Sequence, residues 1–304
     1  LLIFNDPGII QRSTFADEGV IRSIKTPSLY LTRIVRLNNI MDKTKKELAF
    51  IRDLFVDEEW TRRFTELADK HIDLCDAENL LYINSGTGTH CIELRTRGDA
   101  DLAIFATCED EHMLSIARDK AIAARADVDF SMIEFDDDAF DVVVADASFT
   151  PPIELPEFLR NATRVAKSGG KVAVMIPAAG TFGEIFSLLW EVFFNTELGE
   201  HCAAAEKMVA ETPTLSQIEE TAEAAGLVKI KTHIATEVFE YENGEAFLAS
   251  PLVSDFLLPQ WLATLNESEK EQVSVELAHL IDAEDGDLTF RFSVKVTVLT
   301  GEKG

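Results

Sequence analysis

Positive charge is scarce in this sequence. Its 304 residues carry 28 Lys and Arg against 54 Asp and Glu, a formal net charge of −26. So acidic a surface keeps a chain dispersed and repels nucleic-acid phosphates. Cysteine is scarce as well. Cys75, Cys91, Cys108 and Cys202 are widely spaced and form no CxxC pair. Neither a zinc cluster nor a disulfide framework is expected, and the composition suits a reducing, cytoplasmic setting. No apolar run approaches the roughly 18–20 residues of a membrane span. No secretory signal is visible, because Leu1-Leu2-Ile3-Phe4 is short and Asp6-Pro7-Gly8 follows at once. The chain opens on Leu, not Met, so a few residues are expected ahead of it. Internal repeats and low-complexity linkers are also missing. The 46% hydrophobic content suits one large domain or two small ones with a sizeable core.

The charge is unevenly spread. Residues 1–70 carry a net of +1 and the remainder −27. Arg22, Lys25, Arg33, Arg36, Lys43, Lys45 and Lys46 face only Asp42 within residues 20–46. This segment is either an arm for an anionic partner or a helix pair docked on the acidic body, its own or a second subunit's. Docking is the favoured reading, with a homodimer through these helices as one form of it. The segment reads as helical. Pro27-Ser28 opens one helix, with Leu29, Ile34, Leu37 and Ile40 on its stripe. Asp42 or Thr44 opens the next, with Leu48, Ile51, Leu54 and Phe55 on one face and Trp60, Phe64 and Leu67 continuing it to about His71.

From residue 80 short apolar runs alternate with helical spacing. Strands are expected at 80–84, 102–106, 128–132, 141–146, 171–176, 227–235 and 289–299. Alternating strands and helices imply right-handed crossovers and an α/β, doubly wound, mostly parallel sheet. The last strand alternates cleanly (Phe290, Phe292, Val294, Val296, Val298), the pattern of an edge strand. Residues 181–212 and 236–287 exceed normal loop length and are expected to form helical insertions walling a substrate. The aromatics Phe182, Phe186, Trp190, Phe193 and Phe194 in the first insertion are read as core or lid packing, with a substrate cage as the alternative.

The chemistry-bearing motif is Tyr82-Ile83-Asn84-Ser85-Gly86-Thr87-Gly88-Thr89-His90, a strand running through a glycine turn into a helix. Such a turn brings backbone close to a ligand and aims helix N-terminal donors at it. No Gly-Lys-Ser/Thr follows, which excludes a Walker loop. Cys91 stands where a dinucleotide fingerprint has its last glycine, which counts against an NAD-dependent oxidoreductase.

Four further segments follow in order: Met113-Leu114 with Ala117, Asp137-Asp138-Ala139-Phe140-Asp141-Val142-Val143, Arg164-Val165-Ala166-Lys167-Ser168-Gly169-Gly170, and Ala225-Gly226-Leu227. With the glycine turn they make the chain, over about residues 76–302, resemble the class I S-adenosylmethionine-dependent methyltransferases, in the small-molecule, type 11-like branch. The resemblance implies a seven-stranded Rossmann-like sheet with an antiparallel last strand. Residues 1–75 would form a helical extension and 76–304 the methyltransferase domain, its two insertions forming a lid.

The resemblance further implies S-adenosylmethionine as cofactor, held by Asn84, Ser85, Gly86, Gly88, Met113 and Phe130. The family's ribose-binding carboxylate falls at Cys108 or, one residue on, at Glu109. Its adenine-binding acid falls at Asp129, taken to follow the third strand. The family's first-strand acid is Asn84 here and its third glycine is His90, so cofactor binding is expected to be reduced or lost. Asp146, ending the fourth strand, is the candidate general base, or else a cap for the next segment. No metal is implied. Asp136-Asp137-Asp138 falls in what is a surface loop of the family. No Asn-Pro-Pro-Tyr follows Asp146, so the nucleic-acid amino-methyltransferase signature is absent. The reading is methyl transfer to a small molecule, against a methyltransferase-like protein that has lost catalysis and serves in binding or regulation.

Overall fold

A computed structural model describes residues 43–99, 101–285 and 289–304. The helix expected over Pro27–Ile40 and the basic residues up to Arg36 lie outside them. Seven strands form one sheet in the order β3-β2-β1-β4-β5-β7-β6. They are β1 Asn79–Ile83, β2 Ala103–Thr107, β3 Asp129–Ser131, β4 Phe140–Asp146, β5 Ala166–Ala178, β6 Leu227–Tyr241 and β7 Phe290–Lys303. The first five run parallel, and β7 is antiparallel to both β5 and β6.

The β7 position corrects the expectation of an edge strand. β7 lies between β5 and β6, and β6 is the edge. Its alternation reports a strand whose Phe290, Phe292, Val294 and Val296 pack on the core while the intervening residues meet the other face. An antiparallel strand keeps this pattern even at an interior position. β6 is also longer than expected and carries the chain to Tyr241 before the second insertion begins.

Helices Thr89–Arg97, Glu111–Ala124, Leu155–Val165 and Leu215–Ala224 fill the crossovers. The last begins in a capping box, Thr214 with Gln217, and is followed by Gly226 at φ +97°. The insertions are helical as the spacing predicts. Gly183–Asn195 and Cys202–Glu211 make the first, and Gly244–Ala249, Leu252–Trp261 and Glu267–Asp285 the second. Among the described residues no helix is long and apolar enough to cross a membrane.

The N-terminal segment is helical from Lys45 to Ala68, started by a Thr44–Glu47 capping box, with Arg52–Thr61 wound as a π-helix. Its buried face is Ala49, Arg52, Val56, Trp60 and Phe64. This differs from the expected stripe, since Leu54 is 65% and Phe55 49% exposed. Ala49, Val56, Trp60 and Phe64 turn this face inward, and Arg52 meets carboxylates beneath it. The segment docks on the body through Arg52–Glu109, Arg63–Glu237 and Lys43–Asp255 ion pairs.

Candidate active site

The site lies at the switch point between β1 and β4, where the strand order reverses and a crevice opens at the carboxyl ends. Ile83 pairs with Ala145, Tyr82 with Ala106, and Thr107 with Ser131. One step further along each strand, Met132, Cys108, Asn84 and Asp146 form a row at the carboxyl edge. Two sequence-derived candidates and one alternative, Asn84, Asp146 and Cys108, therefore do converge. Asp129 does not. It opens β3 and does not follow it, pairs with Phe105, and is exposed at the far end of that short strand.

The glycine turn is built from left-handed backbone at Asn84 (φ +56°), Gly86 (φ +57°) and Gly88 (φ +81°). Ser85 N–H donates to the Thr107 carbonyl at 2.8 Å and Gly88 N–H to the Ser85 carbonyl at 2.9 Å, which fixes the turn against β2. Gly88 caps the helix Thr89–Arg97, and among the described residues no side chain caps that helix's first N–H groups. The two glycines have different neighbours. A Cβ at Gly88 would stand 2.6 Å from Phe130 Cζ, whereas one at Gly86 would meet the Arg52 guanidinium at 3.2 Å. Phe130 and Met113 are both buried, the former beneath Gly88. Met113 N–H donates to the Asp110 carboxylate that caps helix Glu111–Ala124.

Of the two residues considered at the end of β2, Glu109 reaches the turn. Its Oε2 accepts from Gly86 N–H at 3.1 Å, and its Oε1 lies 3.2 Å from Arg52 Nη1. The Glu109 backbone is open to solvent, but its side chain, 26% exposed, is turned inward beneath Arg52. The Cys108 thiol instead lies 3.4 Å from Ser85 Oγ, and burial pushes its pKa up to about 11. A thiol so protonated is no nucleophile at neutral pH.

Asp146 is buried, and its Oδ1 accepts from Ser148 N–H at 2.8 Å. Burial raises its pKa, and the Arg52 charge opposes the rise. Glu109 is shifted in the same direction by the same two causes. Asp146 thus holds the turn after β4 as a cap and keeps a carboxylate whose proton affinity is raised.

The sequence reading missed the residues that cover the turn. The Thr87 hydroxyl lies 2.7 Å from both Asp53 Oδ1 and Asp57 Oδ2, Thr89 Oγ1 donates to Asp57 at 2.9 Å, and Lys120 Nζ bridges Asp53 and Thr89. Arg52 is 5% exposed and sits 4.9 Å from the Phe149 ring centroid. A signal for Arg52 was present: it falls three residues after Ala49 and four before Val56, on the one helical face that also carries Trp60 and Phe64.

Beyond Phe149 lies a cavity of about 230 Å³. The loop after β4 (residues 147–152), the end of β5, both insertions and Trp60 line it. Phe182 and Phe186 of the first insertion line it, while Trp190 and Phe194 are exposed on the outer side of their helix. Among the described residues no group of three or more His, Cys, Asp or Glu converges as a metal site would require.

Residues 81–174 match the family model of a methyltransferase domain. Among solved structures, the YcgJ protein of Bacillus subtilis superposes with a TM-score of 0.53 at 13% identity, covering 80% of this chain and 98% of that one. A protein of Bacillus halodurans C-125, provisionally assigned as a methyltransferase, gives 0.51 at 17% identity, covering 80% and 99%. Phosphoethanolamine N-methyltransferase 2 of Haemonchus contortus, in complex with S-adenosyl-L-methionine, gives 0.50 at 16% identity, covering 88% and 60%. At such identities the likeness is one of fold. No curated protein matches the chain by sequence. The family match falls on β1 through β5, the five strands that build the glycine turn and its surroundings, and the fold around it is the Rossmann-like one of class I methyltransferases.

Proposed function

We propose that the chain transfers a methyl group from S-adenosylmethionine to a small molecule held in the cavity behind Phe149. The observation that carries this reading is the convergence of a left-handed glycine turn, an uncapped helix N-terminus and the Glu109 carboxylate at the switch point. These residues fit the cofactor in kind. Asn84, Ser85, Gly86 and Gly88 would offer backbone to its methionine end, and Glu109 would accept from the ribose hydroxyls. Met113 and Phe130 would back the turn from below, and Cys108 would serve only as wall. Asp129 has no part in this arrangement.

The bound cofactor supplies an electrophilic methyl carbon, so the protein's task is alignment, water exclusion and proton removal. Asp146 suits the last role, since burial raises its affinity for a proton. The two insertions line the cavity and would restrict water around a bound substrate.

Arg52 is the part that does not fit as it stands. It lies against Gly86 and engages the Glu109 oxygen that a ribose would use. Cofactor entry therefore requires the Arg52 side chain to turn away. The same observation, together with neutral Asn84, favours the second reading, a binding protein that has lost catalysis.

Calorimetry with S-adenosylhomocysteine separates the two. Micromolar binding is expected, weakened about tenfold or more in Glu109→Gln, which keeps the shape but loses the charged acceptor. Asp129→Ala should leave the affinity within about twofold. No binding at millimolar concentration would overturn the methyl-transfer reading in favour of the second.

A further inference from the structure

The cavity behind Phe149 holds two polar groups that the protein leaves unanswered. Trp60 and Ser148 both line it, and both are almost fully buried, at 1% and 5% exposure. Among the described residues, neither the Trp60 indole N–H nor the Ser148 hydroxyl has a hydrogen-bond partner. Four rings pack around the indole: Phe64, Phe149, Phe182 and Phe239 stand with centroids 5.2–5.8 Å from it. These four rings offer the N–H no acceptor oxygen or nitrogen. Thr181 in the same wall provides the contrast. It is as buried as Ser148, but its hydroxyl donates to the Ala178 carbonyl at 2.7 Å and accepts from Lys295 N–H at 3.0 Å.

A buried donor without a partner costs about 1–3 kcal/mol, and a buried Trp N–H normally finds one. Two such groups in one wall of one cavity point to an acceptor supplied from within it. The remaining wall fixes the rest of the ligand. Phe182 and Trp261 stand 5.0 Å apart at 70°, and Phe186, Leu257 and Met208 extend this apolar part of the lining, while Gln260 and Glu211, the latter paired with Lys207, are its exposed polar members. Flat faces and edges of this kind select a planar ring system. An apolar cavity of roughly 150 Å³ accepts benzene, so this one has room for one or two rings.

From this we infer that the cavity binds a small, uncharged aromatic molecule bearing one hydroxyl or carbonyl oxygen, with that oxygen accepting from Trp60 and Ser148. That this molecule is the methyl-accepting substrate rests on the proposed function; that it binds does not. Ser148 also lies two residues beyond Asp146 and donates its N–H to it. The oxygen end of the ligand would therefore lie toward the carboxylate and the glycine turn, with the rings toward the insertions.

Equilibrium dialysis of the full chain against 2-naphthol and naphthalene, without cofactor, tests the inference. 2-Naphthol is expected to bind at least about tenfold tighter, the effect of one or two hydrogen bonds to otherwise unpaired donors. Ser148→Ala and Trp60→Phe should each reduce that preference about fivefold or more while leaving naphthalene binding nearly unchanged. Naphthalene binding in each variant also reports that the cavity is intact. Equal affinity for the two probes would overturn the inference. So would a preference unaltered in Ser148→Ala, or no binding of 2-naphthol below millimolar. Binding of 2-naphthol without binding of S-adenosylhomocysteine would leave the cavity assignment standing and remove the methyl-transfer reading. The reverse result would do the opposite.

Discussion

Arg52→Met is expected to destabilise the fold by about 3 kcal/mol near pH 7, measured as a shift in urea midpoint at unchanged slope. The Arg52 charge faces both Glu109 and Asp146, and its removal leaves two inward-turned carboxylates without it. Breaking a buried pair by removing one partner costs roughly 3–5 kcal/mol, and the partly open Glu109 side chain argues for the lower end. The deficit has a definite pH dependence. Burial raises both carboxyls above their ordinary values of 4.5 and 3.8, and Arg52 holds the rise in check. An acid whose folded pKa exceeds its unfolded one favours the fold fully below the unfolded value. That stability is lost as pH rises through the folded value. Without Arg52 both folded values rise further. The gap between variant and wild type should therefore be widest near neutrality and close as pH falls toward about 4. A deficit independent of pH would show that Arg52 acts through packing on Phe149 alone. The variant should also bind S-adenosylhomocysteine more tightly than wild type, because the face of Gly86 and the Glu109 oxygen are released together. Unchanged affinity would mean that Arg52 does not stand where the cofactor does.

The same arginine shows where the sequence was legible and where it was not. β1, β2, β4 and β5 stood out because strands buried on both faces read as nearly unbroken apolar runs, and Gly86 and Gly88 marked the turn that follows. The site's position came with them, since a parallel sheet with one order reversal leaves a single crevice at its carboxyl ends. The N-terminal helix was harder. Leu54 and Phe55 are apolar and face solvent, while Arg52 is charged and faces the core, so periodicity assigned the wrong face. Ala49, Val56, Trp60 and Phe64 bury that face, and the carboxylates brought from the ends of β2 and β4 answer the charge that goes in with them. Asp129 failed for a related reason. β3 has three residues, and its carboxyl end is decided by pairing with Phe105–Thr107, which no local pattern reports. The place of β7 was hidden likewise: its alternation fits an edge strand as well as an interior antiparallel one, and the pairing with β6 across a long helical insertion decides between them.

Gly88→Ala is expected to cost the fold about 3–4 kcal/mol, more than twice the cost of Gly86→Ala. Both positions are left-handed, which penalises any side chain by about 1–2 kcal/mol. They differ in what the new methyl meets. At Gly86 the nearest atoms belong to the tip of Arg52, a flexible group that can give way. At Gly88 they are Phe130 Cζ at 2.6 Å, Phe130 Cε1 at 2.8 Å and Ala117 Cβ at 3.0 Å, all fixed in the core between β3 and helix Glu111–Ala124. Overpacking there adds about 1–3 kcal/mol. A double-mutant cycle isolates that part. Phe130→Leu shortens the ring side chain and should recover about 1–2 kcal/mol in the Gly88→Ala background, whereas alone it destabilises. No recovery would place the whole cost in backbone conformation. The two glycines should also separate in binding. Gly86→Ala adds a methyl on the face that the cofactor and Arg52 contest, so it should weaken S-adenosylhomocysteine while the fold stays nearly intact. The urea midpoint and calorimetry of the two alanine variants then tell a glycine kept for Phe130 from one kept for a ligand.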